Sequence, residues 1–434
     1  MDMTEIQHAL NASEQGSAMY RMIEELYPIC RSITGNGVRQ TLHGIQQYIP
    51  VEVHEVPSGT QVFDWRVPLE WNIRDAYIAA QDGTRVVDFR RCNLHVMSYS
   101  VPIKSRMSLK DLQAHLHTLP DRPEWIPYRT SYYKDNWGFC LSHNQLKQLP
   151  DTDYEVYIDS SLESGNLTYG ECFLPGESAE EVLISTHICH PSLCNDNLSG
   201  IAVSAFLCRA LQNMQHKLSY RFLFIPGTIG SITWLAMNQE HTNWIRHGLV
   251  LTGVGDAGAI TYKRSRRGEA KVDLVTTHVL QYSNEPYKII DFFPYGYDER
   301  QYCSPGFNLP VGCLMRTPHG EYSEYHTSAD DLEFVRSGSL HNTLSLCLKI
   351  LFVLENDRIP ISLNPYCEPQ LGKRGLYRAV AGQKEGALQE MALLWVMNLA
   401  DGRHSLLDIA NKARMPFDVV HTAAKALSDH GLLN

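Results

Sequence analysis

Two stretches of the sequence concentrate side chains that bind metals or move protons. The first is Ser185-Thr186-His187-Ile188-Cys189-His190-Pro191-Ser192-Leu193-Cys194-Asn195-Asp196-Asn197-Leu198-Ser199-Gly200. The apolar run EVLIST reads as a strand that delivers His187 at its C-terminal end, where open α/β sheets place their ligand sites. An imidazole and the carboxylate of Asp196 on one turn-rich loop could converge on zinc, which accepts both and keeps a position open for water in catalytic sites. The competing reading is a strand-end loop in which Asp196 caps the helix starting at Ser199. Cys189 and Cys194 could make a structural Cys/His site, but their spacing is loose and no second Cys pair is near.

The second stretch is TPHGEYSEYHTSADDLEFV, residues 317–335. It holds His319, Glu321, Glu324 and His326 in a polar loop, with Asp330 and Asp331 leading toward a helix. Alone it reads as an acidic solvated loop; set against the first stretch, it supplies the late histidine that a metal between sheet edges needs. A third candidate is Tyr297-Asp298-Glu299-Arg300. There Glu299, or else Glu324, could serve as general base, and Arg300 could clamp a carboxylate; a surface ion pair is the plainer reading of Glu299 and Arg300. Asp256 reads as a turn former or an additional ligand. No Gly-x-Ser-x-Gly elbow, P-loop or complete dinucleotide fingerprint is present.

The elements that must position these residues alternate strand and helix from about residue 152. YRFLFIP (220–226), HGLVLTGVG (247–255) and NLPVGCLMR (308–316) read as strands; SGIAVSAFLCRALQNM (199–214) and LHNTLSLCLKILFVLEND (340–357) read as helices. Such alternation predicts an α/β fold with a mostly parallel sheet flanked by helices. YEVYIDSSL is assigned to the same domain. Residues 15–50 read as two helices and 51–57 as a strand. Residues 61–151 carry four of the seven tryptophans and short alternating segments, with DAYIAA and RVVDF forming a hairpin and LKDLQAHLHTL (109–119) a helix. Within them Tyr128, Arg129, Tyr132, Tyr133 and Trp137 form an aromatic set that could line a substrate cleft, or simply the core of a small domain. The end of the chain reads as short helices in helix-turn-helix spacing. The expected organisation is an α/β domain over 1–60 and 152–360, a β-rich insert over 61–151, and a winged-helix-like domain over 365–434.

Composition bounds the job. The 434 residues are 44% hydrophobic and 20% charged, ordinary for several packed domains. Asp and Glu number 48 against 38 Lys and Arg, a net charge of -10, so sequence-independent binding to nucleic acid or an anionic membrane is disfavoured as the main task. The candidate recognition helix, PFDVVHTAAKALSDHGLL, has one Lys and two Asp, poor for phosphate contacts. Eleven scattered cysteines are not a disulfide scaffold. The N-terminus lacks a signal-peptide pattern and no run of 18 apolar residues occurs, so a cytoplasmic protein that does not span a membrane is expected.

THICHPSLCNDNLSG (186–200) and EYHTSADDLE (324–333) together resemble the first and last ligand segments of the co-catalytic zinc aminopeptidases. More closely, the chain resembles a bacterial group of aminopeptidase-like proteins with an inserted β domain and a C-terminal winged helix. PICRSITGNGVRQTL (28–42), PYRTSYYKDNWGFC (127–140), FIPGTIGSITWL (224–235), DERQYCSPGFNLPVG (298–312) and PQLGKRGLY (369–377) carry that likeness. The resemblance implies that His187 is the first histidine ligand, Asp196 the metal-bridging aspartate and His326 the last histidine ligand. It also marks departures. Where the zinc aminopeptidases have two adjacent glutamates, a base and a ligand, this chain has Gly227-Thr228; where they have a further aspartate ligand, it has Thr252. Two metals would be underligated, so the expectation is one Zn2+ held by His187, Asp196 and His326, with His190 as a replacement ligand.

The function expected is aminopeptidase-like hydrolysis of an amide or peptide bond, the base being Glu299 or Glu324 and substrate contacts coming from Arg300, Tyr128, Arg129 and Tyr133. The alternatives are an amidase or deacylase acting on an aminoacyl or N-acyl sugar or small metabolite, and a non-catalytic metal-binding regulator. The expected partner is a small molecule or short peptide; apolar surface on the insert and winged helix suggests a homodimer.

Overall fold

The computed structural model describes residues 1–11, 14–376 and 384–434. Tyr377, the last residue of PQLGKRGLY, and part of the segment assigned to the winged helix lie outside them. The strands used below are β1 (Glu52–Pro57), β2 (Glu70–Ala79), β3 (Arg85–Asp88), β4 (Ile103–Ser108), β5 (Asp153–Glu163), β6 (Asn166–Leu174), β7 (Glu181–His187), β8 (Ser219–Ile225), β9 (Ile245–Leu251), β10 (Ile260–Lys263), β11 (Tyr287–Ile290) and β12 (Val311–Met315). The helices are α1 (Met3–Asn11), α2 (Gln15–Leu26), α3 (Asn36–Gln46), α4 (Gly200–Leu211), α5 (Ile229–Met237), α6 (Lys271–Gln281), α7 (Ser337–Asn356), α8 (Lys384–Leu399), α9 (Leu406–Ala413) and α10 (Phe417–Asp429).

The main sheet has eight strands in the order β1-β6-β8-β7-β9-β12-β10-β11. Its centre, β8-β7-β9-β12, is parallel; β6 and β10 flank it antiparallel, β1 pairs antiparallel with β6, and β11 pairs parallel with β10. The central strands are buried on both faces, which is why they read as near-continuous apolar runs. In β8, Tyr220, Phe222 and Phe224 join one core and Leu223 and Ile225 the other. The first core lies under α1–α4, α6, α7 and the C-terminal helices; the second lies under α5 and insert residues such as Trp71 and Tyr99.

Strand β7 is the pivot. The chain leaves it through α4 to β8 on one side, then crosses through α5 to β9 on the other. A strand flanked in this way leaves a crevice at its C-terminal end, the general ligand position of open α/β sheets. His187 is its last residue.

The insert is a four-stranded antiparallel sheet, β3-β2-β5-β4. It includes β5, which pairs with β2 and β4, so the chain returns to the main domain only at β6. The expected boundary at 151 is therefore about a dozen residues early. The alternation of Tyr154, Val156 and Ile158 inward with Asp153 and Glu155 exposed is that of a half-solvated antiparallel strand. The expected helix over 109–119 is only one turn, Leu109–Leu112, followed by a 3-10 turn and a short strand.

Helices α8–α10 bury Leu393, Val396, Ile409, Phe417, Val420 and Leu427 in the core that also takes the residues of α7. Phe352 on α7 meets Phe417 and His421 edge to face, and His278 Nδ1 lies 2.7 Å from Asn411 Oδ1. The apolar face of α10 is thus spent on packing. Helix α7 is long and apolar enough to cross a membrane, but two-thirds of its apolar window is buried inside the protein.

Candidate metal centre

His187, His190 and Asp196 bring one nitrogen or oxygen each within 4.8 Å of one another. His187 and Asp196 are buried; His190 is nearly so. His187 Nε2 is 2.9 Å from Asp196 Oδ1, and His326 Nε2 is 3.0 Å from Asp196 Oδ2. One carboxylate therefore stands between two imidazoles, an oxygen toward each. His190 Nε2 is 3.9 Å from Asp196 Oδ2.

The second contact is not a hydrogen bond. Asp196 Oδ2 and His326 Nε2 both lack a hydrogen-bond partner although they are buried and 3.0 Å apart. Buried polar atoms left so are costly unless another group satisfies them. A carboxylate oxygen and imidazole nitrogens converging from three directions are a zinc donor set. The residues present thus fit one such ion: His187, His190 and Asp196 form the group that converges, and His326 faces the second oxygen of Asp196. Burial pushes the His190 imidazole down to about 3, so it keeps a lone pair at neutral pH. Burial alone would raise Asp196, but His190, His187 and His326 pull it well below the usual carboxylate range.

Two loops are braced to hold this arrangement. Asp330 accepts the backbone N–H groups of Asn195 at 2.6 Å and Asp196 at 2.9 Å. Burial pushes its carboxyl well up, although those two amides pull the other way. Asn197 donates to Thr186 Oγ1 and accepts from Gly253 N, tying the loop to the ends of β7 and β9. Asp256 accepts from Asn195 Nδ2 and Thr317 Oγ1; it supports the loop rather than entering the cluster.

The insert holds the other loop. Tyr128 N donates to His326 O at 2.8 Å, Ser328 N donates to Ile126 O, and Arg122 donates to Ser323 O. His326 sits at φ 55°, a left-handed conformation that costs a non-glycine residue energy and persists only where its surroundings impose it. The Tyr128 ring meets His190 and His326 edge-on at 5.2 and 5.1 Å. Tyr297 stacks on His187 at 4.4 Å, and Tyr325 stacks on His326 at 3.9 Å. His319 lines a small cavity beside Asp196, with Thr252 and Tyr322, holding room for about one water.

The other expected site residues have different settings. Glu299 is not an exposed partner of Arg300. It is fully buried, with Oε1 2.9 Å from Lys263 Nζ and Oε2 accepting Tyr297 N. Both its oxygens are committed, which removes it as a base. Arg300 is half-buried and its Nε has no partner. Glu324 is half-buried and accepts from the adjacent Ser323 hydroxyl. Tyr133 is half-exposed against Trp65, and Arg129 is exposed, reaching only the Tyr128 carbonyl. Tyr132 joins Tyr128 through their hydroxyls, and Trp137 stacks on His115 within the insert.

Sequence reasoning passed over Asp298. It is fully buried, Oδ1 lies 2.7 Å from Ser231 Oγ, and Oδ2 has no partner. Burial raises it to about 6 against the pull of His187.

An α/β sheet with a His/His/Asp cluster at the end of its pivot strand defines an aminopeptidase-like fold, here with a C-terminal winged helix. The comparisons bear this out. Residues 20–357 match a family described as a domain of unknown function (DUF4910), and residues 358–434 match a winged helix-turn-helix family. The chain belongs to the first, and its C-terminal residues match the second. It is 54% identical over 417 residues, 96% of each chain, to a Clostridium acetobutylicum protein whose name joins polysaccharide biosynthesis to an aminopeptidase-like domain. A crystal structure from Clostridium acetobutylicum, bearing a peptidase name, is 52% identical and covers both chains completely, with a TM-score of 0.95. A zinc aminopeptidase from Bacillus subtilis is 12% identical over 79% of this chain and 94% of its own, TM-score 0.57. A peptidase M28 precursor from Shewanella amazonensis is 13% identical over 82% and 98%, TM-score 0.56. The last two show a shared fold.

Proposed function

We propose that the protein is a zinc-dependent hydrolase of an amide bond that works with a single metal ion. The observation that carries this reading is the Asp196 carboxylate between His187 and His326, with Oδ2 and the His326 nitrogen facing each other and not hydrogen-bonded. His187, Asp196 and His326 would hold the ion, and His190 stands ready as a further donor. When bound, zinc supplies carbonyl polarisation and a more acidic water. Gly227, Thr228 and Thr252 offer no carboxylate for a second ion.

The protein's own groups do the remaining work. Tyr297, Tyr325 and Tyr128 pack against the histidines and fix their rings. Asp330 and the insert fix the two loops, so the donors are placed before substrate arrives.

The substrate class favoured is an aminoacyl or N-acyl group on a sugar or small metabolite. The support is the polysaccharide-biosynthesis name of the 54% identical relative. A regulator acting through DNA is the weaker reading, because α10 buries its apolar face and carries Asp418, Asp429 and a single lysine. A cytoplasmic setting is supported by eleven free cysteines, only one of them exposed.

The test is hydrolysis of a panel of aminoacyl and N-acyl amides, amino-sugar conjugates included, by the full chain. Turnover should stop with a chelator and return with zinc. Turnover indifferent to chelation would contradict the reading.

A further inference from the structure

Among the described residues, the fully buried carboxylates around the metal cluster, Asp298 apart, are all taken up. Asp196 lies between the histidines, Asp330 is taken up by two backbone amides, and Glu299 by Lys263 and Tyr297 N. Glu324 reaches its neighbour Ser323. Gly227, at the end of β8, has no side chain to offer.

A carboxylate nevertheless reaches that place from the opposite wall. A Cβ added at Gly227 would lie 3.1 Å from His187 Cβ and 3.4 Å from Asp298 Oδ2. Asp298 Oδ2 therefore fills the space into which a side chain at 227 would grow. It is held there: Oδ1 is fixed by Ser231 at the start of α5, and the preceding Tyr297 is stacked on His187. Tyr302, one turn on, has its hydroxyl 2.9 Å from Ser185 Oγ on β7. The short turn carrying Asp298 is pinned across the pivot strand at two points, and the one oxygen left without a partner is on the His187 side.

We propose that Asp298 is the general base and acid of the reaction, standing in from the opposite wall for the carboxylate that position 227 lacks. This rests on the hydrolase reading above. Asp298 Oδ2 takes a proton from the attacking water as the water oxygen bonds to the carbonyl carbon and the C=O π pair moves to oxygen. The carbonyl re-forms, the C–N bond breaks with its pair going to nitrogen, and the proton on Asp298 passes to that nitrogen. One water and one amide give one carboxylic acid and one amine.

The test does not need the natural substrate. Acetohydroxamic acid, a zinc-binding probe that gives up a proton when it chelates, is titrated calorimetrically into the zinc-loaded full chain in two buffers of different ionisation enthalpy. Wild type should retain that proton. Asp298→Asn should bind the same zinc, release the proton to buffer and hold the probe about tenfold more weakly. Asp298→Ala should behave as Asp298→Asn does, and adding Gly227→Glu to it, where the shortened side chain leaves room, should restore retention and affinity, which a merely structural role for Asp298 would not allow. Equal affinity and proton release in wild type and Asp298→Asn would overturn the role of Asp298 and leave the metal site standing. No binding to zinc-loaded wild type would overturn the hydrolase reading, and the role of Asp298 with it. On any amide that turns over, Asp298→Asn should lower kcat by about 100-fold or more, with KM little changed.

Discussion

The two walls of the site are built on opposite terms. On the Asp196 wall the supporting groups are paired and the unpaired atoms, Asp196 Oδ2 and His326 Nε2, face each other where a metal would sit: Asp330 takes two amides, Asn195 and Asn197 stitch the loop to β9, and Asp256 supports Asn195. On the Gly227 wall a fully buried carboxylate keeps one oxygen free. Its neighbour Glu299, equally buried, is fully paired with Lys263 and a backbone amide. Two adjacent acids thus take opposite roles. A paired buried charge supports the fold, whereas an unpaired one destabilises it and is kept where chemistry needs it.

The comparison can be broken by mutation, beginning with the donors. His187→Ala, Asp196→Asn and His326→Ala should each lose bound metal. Elemental analysis of protein purified without a chelating tag checks this, and retention of metal by any of the three would remove that residue from the ligand set. Next in size is Glu299→Gln, which strands Lys263 in the interior and should cost about 3–5 kcal/mol in denaturant unfolding. A loss below about 1 kcal/mol would mean that the pair is not sealed from water.

Asp330→Ala leaves two buried amides without an acceptor and should cost about 2–4 kcal/mol. It should also weaken zinc binding, because the Asp196 backbone loses its anchor. Unchanged affinity would show that the loop holds its shape without the brace.

Asp298→Asn should act in the other direction. The folded carboxyl is raised to about 6, so its protonated form is favoured and the associated stability is present below about 4 and lost as pH rises through 6. An amide mimics the protonated acid. Metal-free Asp298→Asn should therefore match wild type in acid and exceed it by about 3 kcal/mol at pH 8. Thermal unfolding across pH measures the difference, and a flat difference would put the carboxyl back in its ordinary range. Arg129→Ala and Tyr133→Ala, at exposed positions of the insert, should change stability by less than about 0.5 kcal/mol.

Much of the site was legible because the strand pattern and the residue types agree. EVLIST begins a fully buried parallel strand, so the residue that ends it, His187, had to emerge at the sheet's C-terminal edge. The polar loops carrying Asp196 and His326 could be named for the same reason. Asp298 could not. On a short helical turn one residue step swings a side chain by a large angle, and nothing local distinguishes Asp298 from Glu299. Lys263, which decides the matter, is 36 residues away in sequence. Strand β5 was assigned to the wrong sheet although its alternation was visible: β7 is apolar throughout, whereas β5 has one wet face. The insert's hold on His326 had no sequence signal, since it runs through backbone contacts of Tyr128 and Ile126.

The most direct test of a one-metal centre is the zinc content of the wild-type chain beside Thr252→Asp, which puts a further carboxylate into the small cavity next to Asp196. Wild type should hold about one zinc per chain, and the variant should hold more. Two zinc ions in wild type, or none with the fold intact, would contradict the single-metal site.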